Sequence, residues 1–173
     1  RIIATKEVVE ALKITENLTS IQPDVLAKNP AVLPMLRMAT CPPIARDRLI
    51  GLAGVSPNLV KSMELSKVVP PRMSKPELKS ELQKIADIIE RMTDPDIFVW
   101  KLRNDNGTEE EVFRASTIVA DRLCGAVADP IIRNAQEQRQ LAAIKKWLES
   151  RGYRELNEGE VNDFMKMPPG TFS

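Results

Sequence analysis

Residues Arg46 to Glu64 read RDRLIGLAGVSPNLVKSME, a string whose residue types and spacing suit contact with DNA. A first helix carries Leu49, Ile50 and Ala53, Gly54 supplies the positive φ of a tight turn, and Val55 plugs the core. Ser56 is placed to cap a second helix in which Val60 and Met63 face inward. Pro57, Asn58, Lys61 and Ser62 are left pointing out, where a helix-turn-helix displays the first turns of its recognition helix. Ile50 departs from that pattern, because a small residue is usual where the two helices cross. The same string also fits a helix-hairpin-helix, with the Gly54, Val55 and Ser56 amides holding one phosphate without reading sequence. Ser56 stands where that motif prefers a second glycine. The plain alternative is a helix–Gly–helix corner inside a bundle, built from the same residues for the same reasons.

Charge distribution supports the DNA reading modestly. The 173 residues carry a formal net charge of only +1. Between Arg37 and Lys79, however, eight cations face three anions, giving +5 and leaving −4 for the rest. A basic middle in an acidic chain points toward a polyanion. Arg46, Arg48, Lys61 and Lys67 are the candidates for neutralising phosphates. Asn58 is the candidate for a base edge, since its amide can pair bidentately with adenine. Ser56 completes the set as the cap and phosphate-facing amide.

Other chemistry is limited by composition. Histidine is absent, which removes every His-dependent triad, metal site or proton shuttle from this chain. Cys41 and Cys124 are too few for a Cys-rich zinc site, and as free thiols they suit a reducing, cytoplasmic compartment. Glu77-Leu78-Lys79 forms the Glu-x-Lys triplet of many nucleases, but it falls in a helical first turn with no preceding strand aspartate. Asp94 and Asp96 with Glu109, Glu110 and Glu111 read as helix caps and starts rather than a Mg²⁺ site. Neither a catalytic nor a metal-ligating residue is therefore assigned. Phe98, Trp100, Phe113 and Trp147 read as core, as do Met35, Met38, Met63, Met73 and Met92. No apolar run is long enough to span a membrane.

The elements that position these residues are helical almost throughout. Apolar spacing predicts a helix over Thr5 to Thr19, and Asn29-Pro30 predicts the start of another through Met38. Pro43 opens a helix to Ala53, and Ser56-Pro57 opens one to about Leu65. Three prolines make residues 68–76 linker-like. Ser74 then caps a strong helix from Lys75 to Met92, where Leu78, Leu82, Ile85, Ile88 and Ile89 share a face. Asp94-Pro95 suggests a helix through DIFVWKL, and an acidic start leads the next through Leu123. Asp129-Pro130 opens the last long helix, with Ile131, Ile132, Leu141, Ile144 and Trp147 on its apolar side and Gly152 as its C-cap. Tyr153 and Thr171-Phe172 suggest incipient strands. The expected fold is all-α, an irregular multi-helix bundle with a helix-turn-helix-like or helix-hairpin-helix-like corner over 43–65. The domain organisation reads as a helical N-terminal domain, 1–152, followed by the beginning of an α/β domain, 153–173. An opening Arg1 and a close at MKMPPGTFS suggest a piece of a longer protein.

Leu33 to Glu64, LPMLRMATCPPIARDRLIGLAGVSPNLVKSME, resembles the N-terminal region of the XamI family of type II restriction endonucleases. Arg37-Met38-Ala39-Thr40, Pro42-Pro43, Arg46-Asp47-Arg48-Leu49 and Gly51-Leu52-Ala53-Gly54-Val55 carry the likeness, and Lys145 to Tyr153 adds to it. The resemblance implies Mg²⁺-dependent cleavage of double-stranded DNA at a specific sequence. It also implies a catalytic Asp … Glu-x-Lys core beyond Ser173, so that the chain is inactive alone. A homodimer is compatible with this reading. A non-enzymatic helical DNA-binding regulator and a helical protein-interaction scaffold are the competing readings.

Overall fold

The computed structural model describes residues 2–156 and 167–172, and 68% of the chain is helical. The all-α expectation is met. Among the described residues the elements are α1 (Ile2–Ile14), α2 (Pro23–Lys28), a 3₁₀ turn (Pro30–Val32), α3 (Leu33–Met38), α4 (Arg46–Ala53), α5 (Pro57–Lys61), a π turn (Ser62–Ser66), α6 (Lys75–Met92), α7 (Trp100–Arg103) and α8 (Glu109–Ser150). Two short strands, β1 (Arg154–Glu155) and β2 (Thr171–Phe172), follow and pair in parallel. The chain divides into two compact units, Arg1–Ala126 and Val127–Ser173, with the division inside α8.

In the first unit, α6 is the organising helix. Ser74 Oγ accepts the Glu77 N–H, and Leu82, Ile85, Ala86, Ile88 and Ile89 are buried along one face. That face packs against α2 and α4. Around it the core takes Val8, Ala11 and Leu12 of α1, Leu33, Met35 and Leu36 of α3, and Leu59, Val60 and Met63 of the α5 region. Met73 and Met92 pack at its margin. Residues 68–76 read as linker from their prolines, yet Pro70 is buried.

Several expected boundaries move, each for a local reason. The first helix ends at Ile14, because Glu16, Asn17 and Leu18 all take positive φ and turn the chain out of helix. Asn29 does not cap a helix with its side chain; its Nδ2 donates back to the Val25 carbonyl, and a 3₁₀ turn intervenes before α3. Pro43 does not open α4, which begins at Arg46 after an extended Ala45. Asp94 Oδ1 accepts the Asp96 N–H, so DIFVWKL is a turn followed by the first three residues of the four-residue α7. Asp129-Pro130 opens no helix, since α8 runs straight through Pro130. That proline can give no N–H to the Ala126 carbonyl, the last residue of the first unit. Phe98 and Trp100 are fully buried as expected, but Phe113 and Trp147 are 71% and 54% exposed and are not core.

The start of α8 is fixed by reciprocal capping. Thr108 Oγ1 accepts the Glu111 N–H, and Glu111 Oε2 accepts the Thr108 N–H. Arg103 donates to both Asp105 and Glu111. The Arg103 guanidinium, helped by the Thr108 amide, holds the Glu111 carboxyl down to about 2 from 4.5. A depressed carboxyl stabilises the fold above its ordinary pKa and loses that contribution as pH falls through the folded value. The window here is therefore from about pH 4.5 down to about 2. Arg103→Ala should move the Glu111 midpoint up toward 4.5 in an NMR pH titration. A midpoint left unchanged would contradict the assignment to Arg103.

Candidate nucleic-acid interface

The helix–Gly–helix corner forms as its sequence suggests. α4 ends on Gly54 at φ +59° and ψ +43°, a left-handed C-cap, with the Gly54 N–H on the Ile50 carbonyl. No atom lies within 4 Å of where a Gly54 Cβ would sit, so conformation rather than space selects glycine. Val55 is buried and α5 starts at Pro57 after Ser56. Leu59, Val60 and Met63 face the core, whereas Pro57, Asn58 and Lys61 are exposed. α4 packs on both α5 and α6, which fixes the corner against the main helix.

Ser56 occupies the cap position, but its hydroxyl makes no cap hydrogen bond. Its backbone N–H instead donates to Glu81 Oε2 of α6 at 2.9 Å. The amide that a helix-hairpin-helix would offer to a phosphate is thus already bonded to a carboxylate.

Beneath the corner lies a cluster that sequence reasoning missed. Glu64, with a side chain only 4% exposed, receives Arg37 Nε at 2.5 Å and Arg46 Nε at 2.7 Å. Arg37 Nη2 adds a second bond to Glu64 at 3.2 Å, and Arg37 Nη1 donates to the Ile44 carbonyl. One buried carboxylate therefore ties α3, the loop before α4, the first residue of α4 and the π turn after α5. The pairing removes Arg37 and Arg46 from the set of free cations counted in the basic segment. A local motif cannot reveal it, because Arg37 and Glu64 are 27 residues apart.

The six candidate residues thus fall into different settings. Arg48, Asn58 and Lys61 are exposed. Arg46 is committed to Glu64, and the Ser56 amide to Glu81. Lys67 is exposed in a left-handed conformation and lines a groove with Glu7 and Glu10 of α1 and Lys28 of α2, away from the corner's second helix. A second ion pair braces the C-terminal end of α3. Arg122 donates to Asp94 Oδ2 at 3.0 Å and to the Met38 and Thr40 carbonyls at 3.1 Å.

No group of three or more Cys, Asp or Glu side chains converges among the described residues. Asp94 is held by Arg122, and Glu111 by Arg103. Both cysteines are free, and no helix among the described residues is long and apolar enough to cross a membrane.

Arg48, Asn58 and Lys61 thus stand exposed around the corner between α4 and α5. Comparison with known proteins gives the class, a restriction endonuclease: a family model for the XamI restriction endonuclease matches residues 16–173, and the chain belongs to that family. It is 46% identical over all 173 residues to the type II restriction enzyme SalI of Streptomyces albus G. The chain spans 55% of that relative's length. No solved structure matches it.

Proposed function

We propose that this chain is the helical, DNA-contacting part of a Mg²⁺-dependent type II endonuclease that cleaves double-stranded DNA at a specific sequence. The observation that carries the reading is the corner itself. Arg48, Asn58 and Lys61 stand exposed on two short helices anchored by buried Leu49, Leu59 and Val60 and tied in place by Glu64 and Glu81. Arg48 and Lys61 neutralise phosphates, and Asn58 reads a base edge. The occupied Ser56 amide favours this groove-facing arrangement over a helix-hairpin-helix phosphate clamp. Membership of a restriction-endonuclease family weighs against a regulator or a scaffold. The described residues offer the proposed Mg²⁺ no ligand set, and the carboxylates that would hold it are sought outside them.

A salt titration with a fluorescent duplex tests this. Each phosphate contact removed should lower the slope of log K against log salt by about 0.9. Lys61→Ala and Arg48→Ala should each do so for all sequences, at unchanged melting temperature. Asn58→Ala should act mainly on a preferred sequence. Arg46→Ala should leave the slope alone and lower the melting temperature, because its partner is Glu64. Absence of binding by any folded variant at low salt would move DNA contact out of this corner.

A further inference from the structure

The second half of α8 sorts its charges by face. At 100° per residue, Arg133, Arg139 and Lys146 fall within about 140° of the helix circumference. From Arg133 to Ser150 that arc contains no carboxylate, because Glu137 and Glu149 both fall outside it. The other residues in the arc are uncharged: Gln136, Gln140, Ala143, Trp147 and Ser150. Every residue in the arc is exposed. Counting charge along the chain hides this face, since Glu137 and Glu149 stand among the cations in sequence but not around the helix.

Arg151, in the turn that closes α8, joins the same face. Its guanidinium lies 4.1 Å from the Trp147 ring centroid, and the indole is itself 54% exposed. Stacking holds the planar fork in place and leaves its N–H edge free to donate. Among the described residues, none of Arg133, Arg139, Lys146 and Arg151 has a carboxylate partner. Lys145, on the opposite side of the helix, is paired with Glu155. Around the corner, by contrast, folding ties Arg37 and Arg46 to Glu64. Four unpaired cations in one row over about 27 Å are the footprint of a protein that tracks a polyanion.

We infer that this face of α8 is a second DNA-contact surface, on which Arg133, Arg139, Lys146 and Arg151 bind backbone phosphates of a duplex. Its length of about 27 Å is that of about eight base pairs at 3.4 Å each. Gln136, Gln140 and Ser150 add neutral donors for phosphate oxygens between the charges. An acidic protein would need an apolar anchor at the centre of its contact. Trp147 is the one large apolar group in the arc, and Arg151 already covers one side of its ring. A membrane surface would need an apolar face to insert, and Ile131, Leu141 and Ile144 are interrupted by Asn134, Gln138 and Lys145. A phosphate backbone needs neither. The inference rests on reading the chain as part of a DNA-cleaving enzyme, but it puts contact on the second unit, whereas the corner belongs to the first.

The test is a salt titration of this chain with a fluorescent duplex, comparing Arg139→Gln/Lys146→Gln with the control Lys145→Gln. Glutamine keeps the helix propensity of lysine and arginine, so circular dichroism should match wild type. The double variant should lower the slope of log K against log salt by about 1.8, two contacts at about 0.9 each. Between about 50 and 200 mM salt, wild type should therefore lose about 12-fold more affinity than the double variant. The change should be the same for every duplex sequence. Lys145→Gln also removes a positive charge and should leave the slope alone. Acrylamide should quench wild-type fluorescence less once duplex is added, because exposed Trp147 lies on the face and Trp100 is buried. A double variant with the wild-type slope would overturn the inference, as would quenching indifferent to duplex. An equal effect per charge from Lys145→Gln would do so too, by assigning the slope to net charge alone. Tighter binding to phosphatidylserine vesicles or to polyglutamate than to duplex at the same salt would make a membrane or an acidic protein the partner instead. A slope that falls with the α8 variants but not with Lys61→Ala would keep this surface and remove the corner, and the converse would remove this surface. No binding by wild type at low salt would overturn both.

Discussion

Glu64→Ala should destabilise the first unit by about 3–5 kcal/mol, the scale for stripping one partner from a buried ion pair. The side chain removed is almost wholly buried, and two guanidiniums converge on it. Arg46 is partly exposed and can turn to water, but Arg37 is only 9% exposed and cannot. Alanine therefore leaves a buried cation with one neutral acceptor, the Ile44 carbonyl, in place of a bidentate carboxylate. For a unit of this size the melting temperature should fall by about 10–20 °C. The double variant Arg37→Met/Glu64→Met should recover much of that loss, because apolar replacement of a whole buried pair is often close to neutral. Thermal melts of the single and double variants decide the point. A Glu64→Ala protein melting within a degree or two of wild type would mean that the cluster contributes little. A double variant as unstable as the single would place the cost in packing rather than in the unpaired charge.

What could be read from the sequence, and what could not, follows the range of the interactions. α6 was legible because both signals are local: Ser74 sits directly before it, and its buried residues recur at spacings of three and four. The corner was legible for the same reason, since Gly54 and its buried neighbours are contiguous. Pro130 misled because a first-turn proline and a tolerated interior proline look alike without tertiary context. The roles of Glu64 and Glu81 were hidden by distance. Glu81 reaches a Ser56 amide 25 residues away, and Glu64 reaches cations 18 and 27 residues away. Counting charges along the chain treated Arg46 and Arg37 as available, whereas folding spends them internally. Of the six candidates, Arg48, Asn58, Lys61 and Lys67 stay exposed, whereas Arg46 and the Ser56 amide are bonded within the fold. Trp147 and Ile131 show the converse failure. Periodicity put both on one apolar side, yet at 100° per residue they lie about 160° apart around α8, and both are exposed.

Gly107→Ala should cost more than the same change at Gly54, although both glycines have positive φ. At Gly54 a Cβ enters open space, so only the left-handed backbone is penalised, by about 1–2 kcal/mol. At Gly107, with φ +72°, the new Cβ would stand 2.7 Å from Cδ2 and Cε3 of Trp100, closer than van der Waals contact allows. Trp100 has nowhere to retreat. It is fully buried, meets Phe98 edge-on at 5.4 Å, and donates from Nε1 to the Asn17 carbonyl at 2.8 Å. Asn17 in turn donates from Nδ2 to the Asn106 carbonyl, which draws the loop after α1 onto the loop before α8. Moving the indole would strain both loops. Overpacking of this kind adds about 1–3 kcal/mol to the backbone penalty. Gly107→Ala should therefore lower stability by about 2–5 kcal/mol, against about 1–2 for Gly54→Ala. Urea melts of the two variants, with Trp100 fluorescence as a second readout, measure the difference. Equal losses would show that the indole yields freely and that φ alone sets the cost. A larger loss at Gly107, with an altered Trp100 emission, is the expected result.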